Sequence, residues 1–318
     1  MFNKKMRFFV VLALVMIMVL GSLSVVSAAP KEKGYEMVFI VKSLQHPFFL
    51  RMIEGAKQAA DDLGIDLVCV GPIKDYSSSE QLDLMDNFIS KGVDAIIITA
   101  VDSTSIVRGV ESANKAGILV ATPNTKAYGG DVLTWVGIDN YDVGYGLAKY
   151  LADSLNGKGN VIILEGSPGA SVMEERKAGF IDAFAKYPDI KILASQTANC
   201  NRTEGMALVE NMLQRFPKID GIVAADPTMI MGAVEASKAV GRLEEIKMVG
   251  FDVNNDILTA VKNGEVLCTG DQQEKNQSYF AILACWAKLN GYTPPKIQAI
   301  PFKFVTKDNL DEYQDLMK

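Results

Sequence analysis

Between Ser43 and Phe49 the chain reads Ser-Leu-Gln-His-Pro-Phe-Phe, residue types that in this order suit recognition of a small polar molecule with apolar faces. Ser43, Gln45 and His46 offer hydrogen-bonding groups, Pro47 stiffens the exit, and Phe48 and Phe49 present flat apolar rings where a helix begins. His46 is the only histidine of the chain, and no nucleophile stands beside it in the sequence. The Gly166-Ser167-Pro168-Gly169 stretch follows a strand-like run, yet the chain has no GxGxxG, no GxxxxGK[ST] and no GxSxG. The chemistry on offer is binding without catalysis: the expectation is no enzyme, no cofactor and no metal site.

The pattern around this loop says what holds it. β-rich runs near 36–42, 65–70, 94–99, 117–122 and 133–138 alternate with amphipathic helical stretches, which implies βαβ units and a parallel sheet. In open α/β sheets small molecules sit in the crevice beyond the carboxyl ends of the strands, and the Ser43–Phe49 loop leaves the first strand at that edge. The pattern then restarts with strands near 160–165, 190–195, 220–224, 246–250 and 266–270. Landmarks recur too: Gly55 lies 39 residues before Asp94-Ala95-Ile96-Ile97, and Gly179 lies 41 before Asp220-Gly221-Ile222-Val223. This spacing argues for a duplicated α/β unit. A helix over about 273–290, a strand over 297–304 and a terminal helix from 307 remain. The simplest packing returns the late helix to the first lobe and the chain end to the second, so the chain crosses between lobes several times and makes a hinge.

Ahead of all this, Lys4, Lys5 and Arg7 precede thirteen uninterrupted apolar residues, Phe8 to Leu20, and then small residues ending in Val26-Ser27-Ala28. Residues 1–28 read as a cleavable export signal, cut near Ala28 or Ala29, because the apolar run falls short of the roughly 20 residues of a membrane span. No cysteine near the cut supports a lipid anchor, so the expected location is the periplasm. Without these three basic residues, 29 basic face 38 acidic residues, a formal charge of −9. Such a surface repels phosphate backbones and argues against nucleic acid as a partner. Cys69, Cys200, Cys268 and Cys285 are widely spaced with no CxxC pair; the first, third and fourth sit in apolar runs as buried thiols would, and spacing alone pairs none of them.

An ordered set of motifs now resembles a known family, the ribose-type (type I) periplasmic sugar-binding proteins of ABC importers. It comprises Pro47-Phe48-Phe49, Gly92-Val93-Asp94-Ala95-Ile96, Asp139-Asn140 with Gly144, Glu175-Arg176 with Gly179-Phe180, Asp226, and Val249-Gly250-Phe251-Asp252, and spans nearly all of 36–318. The resemblance implies the type I fold: two doubly wound parallel-sheet lobes, 36–138 plus 273–301 and 139–272 plus 302–318, joined by a three-segment hinge near Asp139, Gln272 and Pro301. It implies ligand-binding roles for Phe48 and Phe49 against a sugar ring, Arg176 as a two-pronged donor, Asp226 and Asp252 as hydroxyl acceptors, and Gln272 at the hinge side of the cleft. His46 stands where relatives that bind ribose carry asparagine, and Ser43 belongs to the same loop. Competing roles are visible for several: the phenylalanines can staple the helix start, Arg176 can pair with Glu174 or Glu175, Asp226 can cap the helix that Pro227 opens, Asp252 can cap the helix ahead of Ile257, and His46 can cap or pack.

Two positions depart from the family pattern. Asn124-Thr125 replaces its Asp-Arg pair after the fourth strand, and Cys200 replaces an aromatic in the second lobe. Both stay in the candidate set, but ribose itself becomes doubtful, and another pentose, a hexose, a deoxysugar or a polyol fits as well. The implied partners are a sugar or polyol and an ABC permease in the inner membrane, the protein acting as a monomer. A chemoreceptor or sensor kinase, including one for an autoinducer-type sugar derivative, is the alternative partner.

Overall fold

The computed structural model describes residues 34–317, so the segment read as an export signal lies outside the described residues. No helix among the described residues is long and apolar enough to cross a membrane. The chain opens with β1 (Glu36–Ile40), α1 (Pro47–Leu63), β2 (Asp66–Val70), α2 (Ser78–Lys91), β3 (Ala95–Ile98), α3 (Val107–Lys115), β4 (Leu119–Pro123) and β5 (Thr134–Gly137). After α4 (Asn140–Ser154) the alternation repeats as β6 (Lys158–Glu165), α5 (Ser171–Phe184), β7 (Asp189–Thr197), α6 (Arg202–Arg215), β8 (Gly221–Ala224), α7 (Pro227–Ala239), β9 (Lys247–Phe251), α8 (Asn255–Asn263) and β10 (Cys268–Asp271). It closes with α9 (Glu274–Leu289), β11 (Ile297–Ala299) and β12 (Lys303–Val305).

Two six-stranded sheets result, in the orders β2-β1-β3-β4-β5-β11 and β7-β6-β8-β9-β10-β12. Strand for strand the two orders are the same, as a duplicated unit requires. The central strands are apolar on both faces, for instance Ala95–Ile98 and Gly221–Ala224, because helices cover both sides of a parallel sheet. The lobes exchange helices: α4 follows β5 of the first sheet and packs on α5 of the second, while α9 follows β10 of the second and packs on α1 of the first. The landmark glycines sit at these crossings. A Cβ on Gly55 would lie 2.6 Å from the Cα of Lys275 in α9, and one on Gly179 would lie 2.6 Å from the Tyr145 nitrogen in α4, so only glycine lets the backbones approach this closely.

Two expectations change. The strand foreseen over 297–304 is two short strands in different sheets: β11 pairs in parallel with β5, and β12 pairs antiparallel with β10. Pro301 lies between them, where a residue without an N–H cannot extend a ladder; the Ile300 nitrogen still donates to the Gly137 carbonyl at 2.7 Å before the chain leaves for the other sheet. The terminal segment Lys307–Leu316 is 3₁₀ in type and kinked at Asn309, whose side chain is drawn away to the backbone of Phe304 and Thr306.

Candidate ligand-binding site

Strand ends from both sheets converge on a small inner cavity. Pro47 and His46 begin α1, the imidazole Nδ1 accepting from the Phe48 nitrogen at 3.2 Å, so the cap itself fixes the ring. Behind it Phe48 and Phe49 meet edge to face at 5.2 Å and both line the cavity. From the other lobe Asp226 caps α7 through Oδ1, which accepts from the Thr228 nitrogen and hydroxyl, while Oδ2 accepts a hydrogen bond from His46 Nε2 at 3.1 Å. Each residue thus caps a helix and lines the cavity at once. Burial opposes the charge on each, but their mutual attraction and hydrogen bond win: the His46 pKa is raised and that of Asp226 lowered.

Arg176 sits one helical turn before Gly179 on α5 and is 2% exposed. Its Nε donates to Asn140 Oδ1 at 2.9 Å, Nη1 to the Ala225 carbonyl at 2.7 Å and Nη2 to Gln272 Oε1 at 2.6 Å, while the guanidinium lies 3.9 Å from the Phe251 ring centre. Of its five N–H groups two remain for the cavity. The ion pair with Glu174 or Glu175 that the sequence allowed does not form; Glu175 pairs with Lys126 instead. Gln272 passes the chain of bonds on, its Nε2 donating to Asp252. Burial pushes the Asp252 carboxyl up to about 6, with Arg176 opposing. Asp252 caps no helix, since Asn254 does that for α8, and its carboxylate faces the cavity.

Asn124 and Asp252 are a matched pair, each the first residue after the equivalent strands β4 and β9 and each left-handed, at φ 64° and 70°. Each is held from both sides. The Asn124 nitrogen donates to Val136 and its carbonyl accepts from the Trp135 indole; the Asp252 nitrogen donates to Gly270 and its carbonyl accepts from the Thr269 hydroxyl, all four bonds 2.8 Å long. A non-glycine residue in this region costs about 1–3 kcal/mol, a strain that surrounding bonds must hold and that gathers at functional sites.

Of the ten candidates, His46, Phe48, Phe49, Asn124, Arg176, Asp226, Asp252 and Gln272 line this cavity. Ser43 and Cys200 do not: they line a wider outer chamber that shares only His46 and Tyr76 with the inner one. The Ser43 hydroxyl accepts from the Gln45 and His46 nitrogens at 3.0 Å each and so shapes the loop. Cys200 receives the Ser167 hydroxyl at 3.5 Å, and all four cysteines are free. Sequence reading missed Lys42, Tyr76 and Met173, which complete the lining. Lys42 could have been found as a lysine ending an apolar strand at its carboxyl edge; Tyr76, left-handed at φ 62°, lies in the loop after β2, where the same rule applies; Met173 carries no signal. The Lys42 ammonium has no hydrogen-bond or ion-pair partner among the described residues, and burial lowers its pKa to about 8.

Comparison with known proteins places this geometry among others. A family model described as periplasmic binding protein domain matches residues 37–293. The chain is 33% identical over 281 residues to the ribose import binding protein of Bacillus subtilis (strain 168), covering 88% of this chain and 90% of that protein. It is 35% identical over 259 residues to the xylitol-binding protein of Mycolicibacterium smegmatis, covering 81% and 73%. Among solved structures, an ABC transporter periplasmic solute binding protein from Actinobacillus succinogenes 130z with bound D-allose matches with a TM-score of 0.84 at 34% identity, covering 88% of this chain and 100% of that one.

Proposed function

The chain belongs to the periplasmic binding protein domain family, and from that premise we propose that it is a solute receptor that captures a monosaccharide or polyol between its lobes and delivers it to the permease of an ABC importer. The observation that carries this reading is the lining of the inner cavity, which combines aromatic faces with a guanidinium, two carboxylates and two amides. Rings match the C–H faces of a sugar, and paired donors and acceptors match its vicinal hydroxyls. Charge-assisted hydrogen bonds contribute about 1.5–3 kcal/mol each, so a few of them with stacking reach micromolar affinity, about −8 kcal/mol. The relatives named above bind ribose, xylitol and allose, all polyhydroxylated and uncharged. A thermal-shift panel of pentoses, hexoses, deoxysugars and polyols against the purified protein tests it: one clear, concentration-dependent stabiliser is expected. Silence across the panel from folded protein freed of co-purified ligand would overturn it.

Affinity should depend on pH through Asp252. Ligand hydroxyls donate to the ionised carboxylate, so the complex has a lower Asp252 pKa than the value of about 6 in the unliganded site. Affinity therefore falls as pH drops through about 6, by up to about tenfold per pH unit. Calorimetric titration between pH 4.5 and 8 checks this, and Asp252→Asn should flatten the acid limb.

Lys42→Met should act with opposite signs on folding and binding. The lysine pKa is lowered to about 8, so between there and its ordinary value the folded state holds fewer protons than the unfolded one, and its charge costs stability below pH 8. Methionine removes a cost of about 1–3 kcal/mol and should raise the melting temperature while weakening sugar binding, because a donor aimed into the cavity is lost. A variant that melts lower would count against an uncompensated buried charge at Lys42, and one that binds as well as the parent against its ligand role.

A further inference from the structure

One rim of the cleft is held by groups that do not line the inner cavity. From the first lobe Lys126 Nζ donates to Glu175 Oε1 at 2.6 Å and the Tyr128 hydroxyl to Glu174 Oε2 at 2.9 Å. Backbone bonds lie alongside, the Lys126 nitrogen to the Ser171 hydroxyl at 3.0 Å and the Ser103 nitrogen to the Gly169 carbonyl at 2.9 Å. All of these cross from loops beyond the first sheet to the start of α5, so they exist only while the lobes are together.

We propose that Lys126, Tyr128, Glu174 and Glu175 form a clasp that sets the lifetime of the ligand-bound, closed protein; this rests on the receptor reading. Covalent adjacency couples the clasp to the ligand. Glu175 is next to Arg176, and Lys126 is two residues from Asn124, so a ligand that draws Arg176 and Asn124 together brings the clasp into register. Its side chains are partly exposed, 38% for Lys126 and 28% for Glu175, which makes the pair sensitive to salt without contributing to ligand selection. An uncharged sugar is not steered by rim charges, so the clasp acts on release and leaves capture alone. These are positioning residues, working through Arg176 and Asn124.

The clasp carries its own reporter. Lys126 Nζ stands 4.7 Å from the centre of the Trp135 ring, so separation of Glu175 from Lys126 changes the charge beside one of the two tryptophans of the chain. Stopped-flow tryptophan fluorescence on the parent protein, with D-ribose, D-allose and xylitol as probes, gives association and dissociation rates, and the same probes in radiolabelled form give them for the Lys126 variants, in which the reporter itself is altered. Lys126→Glu is expected to raise the dissociation rate about tenfold with the association rate within about twofold, and the charge-swapped pair Lys126→Glu with Glu175→Lys should recover most of the loss. Raising NaCl should speed dissociation from the parent and leave Lys126→Met unchanged. Dissociation unaltered in Lys126→Glu, or no recovery in the swapped pair, would overturn the clasp while leaving the receptor reading intact. If the parent binds none of the three probes and no sugar in the thermal-shift panel, the receptor reading and the clasp fall together.

Discussion

Arg176→Ala should abolish high-affinity sugar binding, with a loss of about 100-fold or more. Two N–H groups of the fork are free to face the ligand, and losing charge-assisted bonds of about 1.5–3 kcal/mol each accounts for that factor, since about 1.4 kcal/mol is tenfold. The damage extends further. Asn140 Oδ1 and the Ala225 carbonyl lose the guanidinium donor, Gln272 Oε1 keeps only the longer bond from Asn124, and Asp252 loses the cation that opposes its upward shift. Arg176→Lys separates the two effects: a lysine keeps the charge but cannot satisfy three acceptors and two hydroxyls with a planar fork. Calorimetric titration of both variants, with circular dichroism to verify folding, decides the matter. Parent-like affinity in folded Arg176→Lys would remove the fork from the binding account.

The second large effect is on stability. Gly179→Ala improves helix propensity by about 1 kcal/mol, which by itself predicts a more stable protein. The structure predicts the reverse, because the new methyl would overlap the Tyr141 carbonyl oxygen and press on the Tyr145 nitrogen at 2.6 Å. These are backbone atoms in α4 and have no rotamer with which to yield. Overpacking at about 1–3 kcal/mol, and more against rigid backbone, outweighs the propensity gain, so a net loss of about 2 kcal/mol is expected. Arg176 rides one turn away on the same face, so the shifted helix should weaken ligand binding as well. Denaturant unfolding measures the first effect and titration the second; a variant as stable as the parent would mean that α4 and α5 can part without cost.

The same comparison shows how much of the site could be read in the sequence. His46, Phe48 and Phe49 stood in the loop and helix start that follow the first strand, a local signal, while Asp226 and Asp252 came from the family resemblance, and all five line the inner cavity. Arg176 and Gln272 came from motif order and line it too. Ser43 stood in the same loop yet spends its hydroxyl on the backbone of that loop, and Cys200 stood at an aromatic position yet turns to the outer chamber. Tyr76 was passed over because its loop reads as a polar turn; only its left-handed backbone, held by the bond from its nitrogen to the Lys42 carbonyl at 2.9 Å, puts the ring beside His46 and Phe49.

What the sequence by itself determined is the repeated α/β pattern, the two glycine landmarks, the sheet class and the polar and aromatic loop Ser43–Phe49, because each depends on periodicity or on residues a few positions apart. What only the tertiary structure decided is which distant side chains meet, His46 with Asp226 and Lys126 with Glu175 across the lobes and Arg176 with Gln272 at the hinge side of the second lobe, and the parting of 297–304 between two sheets. These pairs are separated by 180, 49 and 96 residues. Nothing in local pattern encodes such distances, since they depend on how two open sheets place the ends of their strands and on helices exchanged between the lobes.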